Sequence, residues 1–236
     1  SMKQFVALFK NKPWLLLTLT GICTNFFNGF RYAVAGYLME YCLHGDVTLG
    51  GFIINYTVFM TFGEVTCMIF GGLSPAFTKA VGSKKRAFSL ASLICLVTSV
   101  AFFFIPMDPA YMWLMILMVI LTSVGIGFYS PLLWSMYADV ADYATKKNGT
   151  SSTGLIFSSG TMAQKFGSAI SGALLTLLLG AVGFASGSGA DGQAVVTIAE
   201  GCLPAVQKMI WAIFSIIPAV IALIMIGLVK LYPIEK

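Results

Sequence analysis

Charge is scarce in this sequence. Lys, Arg, Asp and Glu together supply 10% of the 236 residues, against about 25% in ordinary soluble domains, so the chain has too little polar surface to coat itself in water. Histidine occurs once, as His44, which excludes an HExxH zinc site and leaves no Ser/His dyad for nucleophilic catalysis. The five cysteines, Cys23, Cys42, Cys67, Cys95 and Cys202, show no CxxC or Cys/His ligand spacing. They read as small apolar packing residues, with a Cys42–Cys202 disulfide left open because both fall toward one face. The pair Asp139 and Asp142 has the residue types of an aspartyl protease but sits beside Lys146 and Lys147, where charge pairing suits it better. No enzyme activity, cofactor or metal site is expected.

What the chain has instead is hydrocarbon, at 58% apolar residues. Six apolar runs fall near 14–39, 50–73, 87–105, 111–138, 153–182 and 206–232, each long enough to cross a hydrocarbon core of about 30 Å. Lipid offers no hydrogen bonds to a bare backbone, so a spanning segment must be a helix or part of a closed barrel. The runs lack the alternation of barrel strands. The expectation is an all-α membrane protein, residues 1–236 forming a single bundle of six transmembrane helices.

Basic residues near short loops are retained in the cytoplasm, which orients the bundle. Lys3, Lys10, Lys12, Lys79, Lys84, Lys85, Arg86, Lys146, Lys147, Lys230 and Lys236 all fall on one side, and Lys208 is the one cation opposite them, among His44, Asp46, Asp108, Asp191 and Glu200. Both termini are therefore expected in the cytoplasm. This bias explains the net charge of +5 and argues against a nucleic-acid partner, which needs a basic face.

Local signals are few. The link KAVGSKKR, 79–86, reads as a tight turn at Gly82 followed by a basic cluster that anchors topology or holds helix ends through Asp139 and Asp142. Pro106 and Pro109 mark an outer turn, whereas Pro131 and Pro218 fall inside spans and predict kinks. The Gly/Ser/Ala-rich stretch from Gly183 to Gln207 reads as a flexible outer connector.

Ionisable groups in hydrocarbon cost about 2.5–3.5 kcal/mol each on translocon scales, so each is a functional candidate. Lys165 lies in the middle of the fifth span, and Gly154, Ser158, Thr161, Lys165, Ser168 and Gly172 recur at steps of four and three. That spacing gathers them on one helical face, turned toward other helices or a wet cavity. Gly154, Ser168 and Gly172 read as residues that permit close helix packing, but packing gives no account of Lys165. In the first span Gly21, Asn25, Asn28 and Tyr32 form a second polar stripe with Arg31 beside it, facing either a cavity or interhelical hydrogen-bond partners. In the second, Thr57, Thr61 and Glu64 share a face, with Glu64 protonated, paired with a cation, or part of a proton route.

The segment YADVADYATKKNGTSSTGLIFSSGTMAQKFGSAISG, 137–172, resembles the glycoside-pentoside-hexuronide:cation symporters, the melibiose permease group of the major facilitator superfamily. The resemblance rests on AD-x-x-DY at Ala138 to Tyr143, on STGL, and on K-x-G at Lys165 and Gly167, and extends more loosely to the Gly82 turn and the final LVKLYP. It implies helices seven to twelve of a twelve-helix transporter in a bacterial inner membrane, with the substrate bound at mid-membrane between two halves. It further implies that Lys165 lies near the sugar and cation sites, that Thr161 faces the sugar, and that Asp139 and Asp142 belong to a cytoplasmic ionic gate. Two positions depart from the family pattern. Ser151 and Ser152 stand where arginine is frequent, so the gate is expected to use Lys146, Lys147 or Arg86. Ser130 replaces the aromatic that stacks on galactose, leaving Tyr129 and Trp134 nearby.

The substrate-facing set is therefore Lys165, Thr161, Asn25, Asn28, Tyr32 and Tyr129, with Glu64 and Arg31 as an ion or proton route. The coupling ion is sodium or a proton, and its main site is expected in the amino-terminal half. The expected function is half of a symporter carrying a sugar or glycoside. Its partner is the amino-terminal six-helix half or a second copy of the chain. The alternative is a self-associating membrane protein, or transporter fragment, without transport of its own.

Overall fold

The computed structural model describes residues 8–9, 11–148, 153–188 and 194–234. Lys3, Lys10, Ser151, Ser152, Asp191 and Lys236 lie outside the described residues, as does the side chain of Lys147. Six long helices carry the fold: α1 Lys12–Tyr37, α2 Tyr56–Val81, α3 Lys84–Phe103, α4 Met112–Asn148, α5 Thr153–Ala181 and α6 Leu203–Lys230. Five of them, α2 to α6, are long and apolar enough to cross a membrane. The first has the length, 26 residues, but dilutes its hydropathy with Asn25, Asn28 and Arg31. The chain is an all-α membrane protein.

Local chemistry sets the helix ends. The Asn11 side chain accepts from the Trp14 amide at 3.4 Å, with Pro13 in the first turn of α1, where a missing donor costs nothing. At its other end α1 relaxes into a π-helical turn, Leu38–Cys42. Gly50 and Gly51, at φ 57° and 87°, then close a hairpin of β1 Val47–Leu49 and β2 Phe52–Ile54, since two consecutive left-handed residues match strand twist. The second apolar run therefore starts as strand, and the helix begins only at Tyr56, capped by Asn55. It continues to Val81 and ends on Gly82 at φ 80°, the left-handed stop expected there. Pro75, Pro131 and Pro218 all lie inside continuous helices.

The stretch after α5 is a second correction. It is an antiparallel hairpin, β3 Phe184–Ser188 with β4 Ala194–Ile198, where composition pointed to a loose connector. Phe184 anchors it, buried edge-on against Tyr37 at 5.3 Å and Tyr41 at 5.6 Å. The cysteines are all free, and Cys42 donates to the Gln207 carbonyl at 3.6 Å.

The packing interleaves the two halves of the chain. Helix α1 lies against α5 and α6, α2 against α4, and α3 against α4 and α6. Apart from α3 with α4, neighbours in sequence touch little, α1 with α2, α2 with α3 and α5 with α6 least of all. Bulky apolar side chains of α3 and α6, among them Val97, Val100, Val220 and Leu223, remain exposed, as an outer face in lipid requires.

Candidate functional site

One side of α5 packs and the other does not. Ile156, Gly160, Ala163, Gly167, Ser171 and Leu175 are buried, while Gly154, Ser158, Thr161, Lys165, Ser168 and Gly172 are exposed. The stripe read from spacing is thus the side turned away from the chain's own helices. The hydroxyls on it are tied to their own helix, Ser158 donating to the Gly154 carbonyl at 2.8 Å and Thr161 to Phe157 at 3.3 Å. Among the described residues none pairs or hydrogen-bonds with the Lys165 ammonium, so its three donors are available to a solute. Gly154 and Gly172 have open space where a Cβ would sit, which corrects the expectation that they serve close packing within the chain.

The close approach lies a third of a turn away. A Cβ on Gly167 would stand 2.6 Å from the Ile22 carbonyl oxygen and 2.7 Å from the Asn25 Cβ, and one on Gly29 would collide with the Ser171 hydroxyl. Gly21 faces the Tyr137 hydroxyl in the same way. Gly167 lets α1 and α5 meet backbone to backbone, with Asn25 against the packed side of α5. Asn25 donates to the Gly21 carbonyl at 2.8 Å, leaving its amide oxygen as an acceptor. At one end the seam is locked by the Trp14 indole, which donates to Ser159 at 2.7 Å.

The second stripe of α1 opens on α2. Asn28, Arg31, Tyr32 and Glu64 line one small cleft together with Ser123, and its volume is about 20 Å³, room for a water molecule. Arg31 is 5% exposed and lies 5.8 Å from the Phe27 ring and 5.4 Å from the Phe214 ring, so two aromatic faces hold a guanidinium that hydrocarbon would reject. Glu64, Thr57 and Thr61 are exposed on α2. Asn25, Asn28, Tyr32, Glu64, Thr161 and Lys165 therefore fall on the polar faces of three helices, α1, α2 and α5.

Tyr129 departs from its expected place. It is 1% exposed, stacked at a tilt 5.5 Å from Phe88, with its hydroxyl donating to Asn28 at 3.5 Å. It supports Asn28 from behind and cannot touch a solute in this arrangement. The acidic pair is likewise rearranged. Asp139 binds Lys84 at 2.6 Å, a partner absent from the expected set of Arg86, Lys146 and Lys147, while Asp142 and Arg86 are exposed. Lys84 opens α3 just past the Gly82 turn, so the tight turn aims it at the end of α4. The reading that the 79–86 cluster holds helix ends through Asp139 is met by Lys84, whereas spacing along one helix gives no sign of the bond between Trp14 and Ser159.

Residues 1–236 match the family described as MFS/sugar transport protein. An isoprimeverose transporter of Lactiplantibacillus pentosus is 26% identical over 192 residues, covering 81% of this chain and 38% of its own length. The inner membrane symporter YicJ of Escherichia coli (strain K12) is 29% identical over 149 residues, 63% of this chain and 30% of its own. An uncharacterized 29.9 kDa protein of Pseudescherichia vulneris is 24% identical over 222 residues, covering 94% of this chain and 72% of its own. The chain thus spans well under half the length of the first two relatives. By this match over its whole length, the chain belongs to the MFS/sugar transport protein family.

Proposed function

We propose that the chain forms one wall of a path for a sugar or glycoside and rocks against a second six-helix unit, coupling solute movement to sodium or a proton. The observation that carries the reading is the exposed polar face of α5 around Lys165. A bare ammonium in mid-span is tolerable only beside water or a polar partner, and the other helices of this chain do not cover it. Lys165, Thr161, Asn25, Asn28 and Tyr32 supply donors and acceptors of the kind that read sugar hydroxyls. Arg31 and Glu64 form a charged cleft next to them and serve the ion or proton route. Asp139 with Lys84, and Asp142 with Lys146 and Lys147, form the cytoplasmic gate. Both termini are cytoplasmic in this reading, and the main coupling-ion site belongs to the other unit. The relatives named as a transporter and a symporter support it.

The test is uptake of a panel of labelled glycosides into vesicles carrying this chain with an amino-terminal six-helix half, under a sodium or a pH gradient. Uptake should need both parts and fall at least tenfold in Lys165→Ala, whose melting temperature should not drop because the side chain is exposed. Undiminished uptake in that variant removes Lys165 from the site. A homodimer that binds no glycoside favours the self-associating alternative instead.

A further inference from the structure

The basic cluster after Gly82 does more than turn the chain. Lys85, Arg86 and Lys230, with Ser83, Ser89 and Leu90, line a pocket of about 680 Å³ between the start of α3 and the end of α6. Among the described residues no acidic side chain lines it, and none pairs with Arg86 or Lys230. The neighbouring Lys84 is turned away onto Asp139, whereas Lys85 donates to the Tyr232 carbonyl at 2.9 Å and so pins the end of α6 to α3. The Ser83 side chain, which makes no capping bond to α3, lines the same pocket. Three cations lining one pocket describe a site for a phosphate-type anion.

The pocket does not close over its occupant. Its wall at Leu90 is 45% exposed, and Leu93, Val97 and Val100 continue that exposed line along α3, with Ile224, Leu223 and Val220 along α6. An apolar groove of about 270 Å³ lies between the same two helices farther along, lined by Leu96, Val100 and Phe103 with Ile216, Val220 and Leu223. From Leu90 to Val100 the helix rises about 15 Å, a good part of an acyl chain's length. A ligand that fills both regions is anionic at one end and apolar along the rest. We infer that this pocket binds the headgroup phosphate of an anionic phospholipid, with an acyl chain laid along the seam between α3 and α6. The site faces lipid on the outer side of the bundle and is independent of the polar face around Lys165.

The test uses the whole chain in detergent, with native mass spectrometry and thermal melting as readouts. The probes are dioleoylphosphatidylglycerol, dioleoylphosphatidylcholine and inorganic phosphate. Phosphatidylglycerol should be retained and should raise the melting temperature, and phosphatidylcholine should do neither. The double variant Arg86→Gln with Lys230→Gln should weaken phosphatidylglycerol binding by about fivefold per charge removed, while Lys79→Gln with Lys146→Gln, equal in charge but outside the pocket, should leave it unchanged. Equal loss in both double variants, equal binding of the two lipids, or displacement of the lipid by millimolar phosphate would overturn the inference. Wild-type protein supplies a measurement free of any folding defect. Raising salt from about 0.1 to 1 M shortens the screening length from about 10 to 3 Å, so it must weaken phosphatidylglycerol retention, and retention indifferent to salt sinks the assignment.

Discussion

Two glycines five residues apart on α5 should respond oppositely to the same methyl group. In the interior of a helix, Gly→Ala ordinarily stabilises by about 0.8–1.0 kcal/mol, and at Gly172 nothing lies within 4 Å of the new Cβ, so Gly172→Ala should melt at or above wild type. At Gly167 the same methyl meets the Ile22 carbonyl oxygen at 2.6 Å and the Phe26 amide nitrogen at 2.9 Å. These are backbone atoms of α1 and cannot rotate aside, so the helices must part by roughly 1 Å to reach ordinary contact distance. Overpacking of this kind costs about 1–3 kcal/mol. The propensity gain is common to both variants and cancels in their difference, leaving the clash alone. For a chain of this size, that is a gap of roughly 2–12 °C in melting temperature, using the scale of soluble proteins. The assay is thermal unfolding in detergent followed with a thiol-reactive dye, for which Cys95 is a fully buried reporter. A Gly167→Ala protein that melts with or above Gly172→Ala refutes the argument that this seam sets the spacing of the candidate site.

Other consequences are as direct. Lys84→Gln and Asp139→Asn should each loosen the contact between α3 and α4, and a double-mutant cycle should give a coupling of roughly 1 kcal/mol, because the pair is close but a quarter exposed on the lysine side and so partly screened; strictly additive effects would remove the latch. Ser159→Ala strands a buried indole N–H and should cost about 1–3 kcal/mol, with Trp14→Phe much less damaging in that background than alone; the cycle is read from melting curves. Burial pushes the Cys42 thiol up to about 12, so at pH 8 it should resist maleimide in the folded protein and react on unfolding, and rapid labelling of a protein whose only cysteine is Cys42 contradicts its burial.

Sequence patterning carried the long-range plan but not the contacts. Run length and the steps of four and three on α5 identified a six-helix bundle and the Lys165 face, because burial in lipid leaves a periodic record on one helix. The start of α2 escaped, since Gly50 and Gly51 are as compatible with an apolar span as with a hairpin until their backbone angles are known. Tyr129 was misplaced for a related reason. A residue one position from Ser130 can face the path or α3, and packing against Phe88 decides. The basic cluster at 79–86 is legible as a tie to Asp139, but which of its cations makes the bond depends on how two helix ends meet, which no pattern within either helix encodes.

The crossed partnership of the helices has a consequence during synthesis. Each of α1, α2 and α3 finds its main partners among α4, α5 and α6, so these three enter the bilayer ahead of the helices of the bundle that hold them. Until α6 emerges, Arg31 has the Phe27 ring of its own helix but lacks that of Phe214. Commitment to the native arrangement of these six helices therefore comes only with the later three.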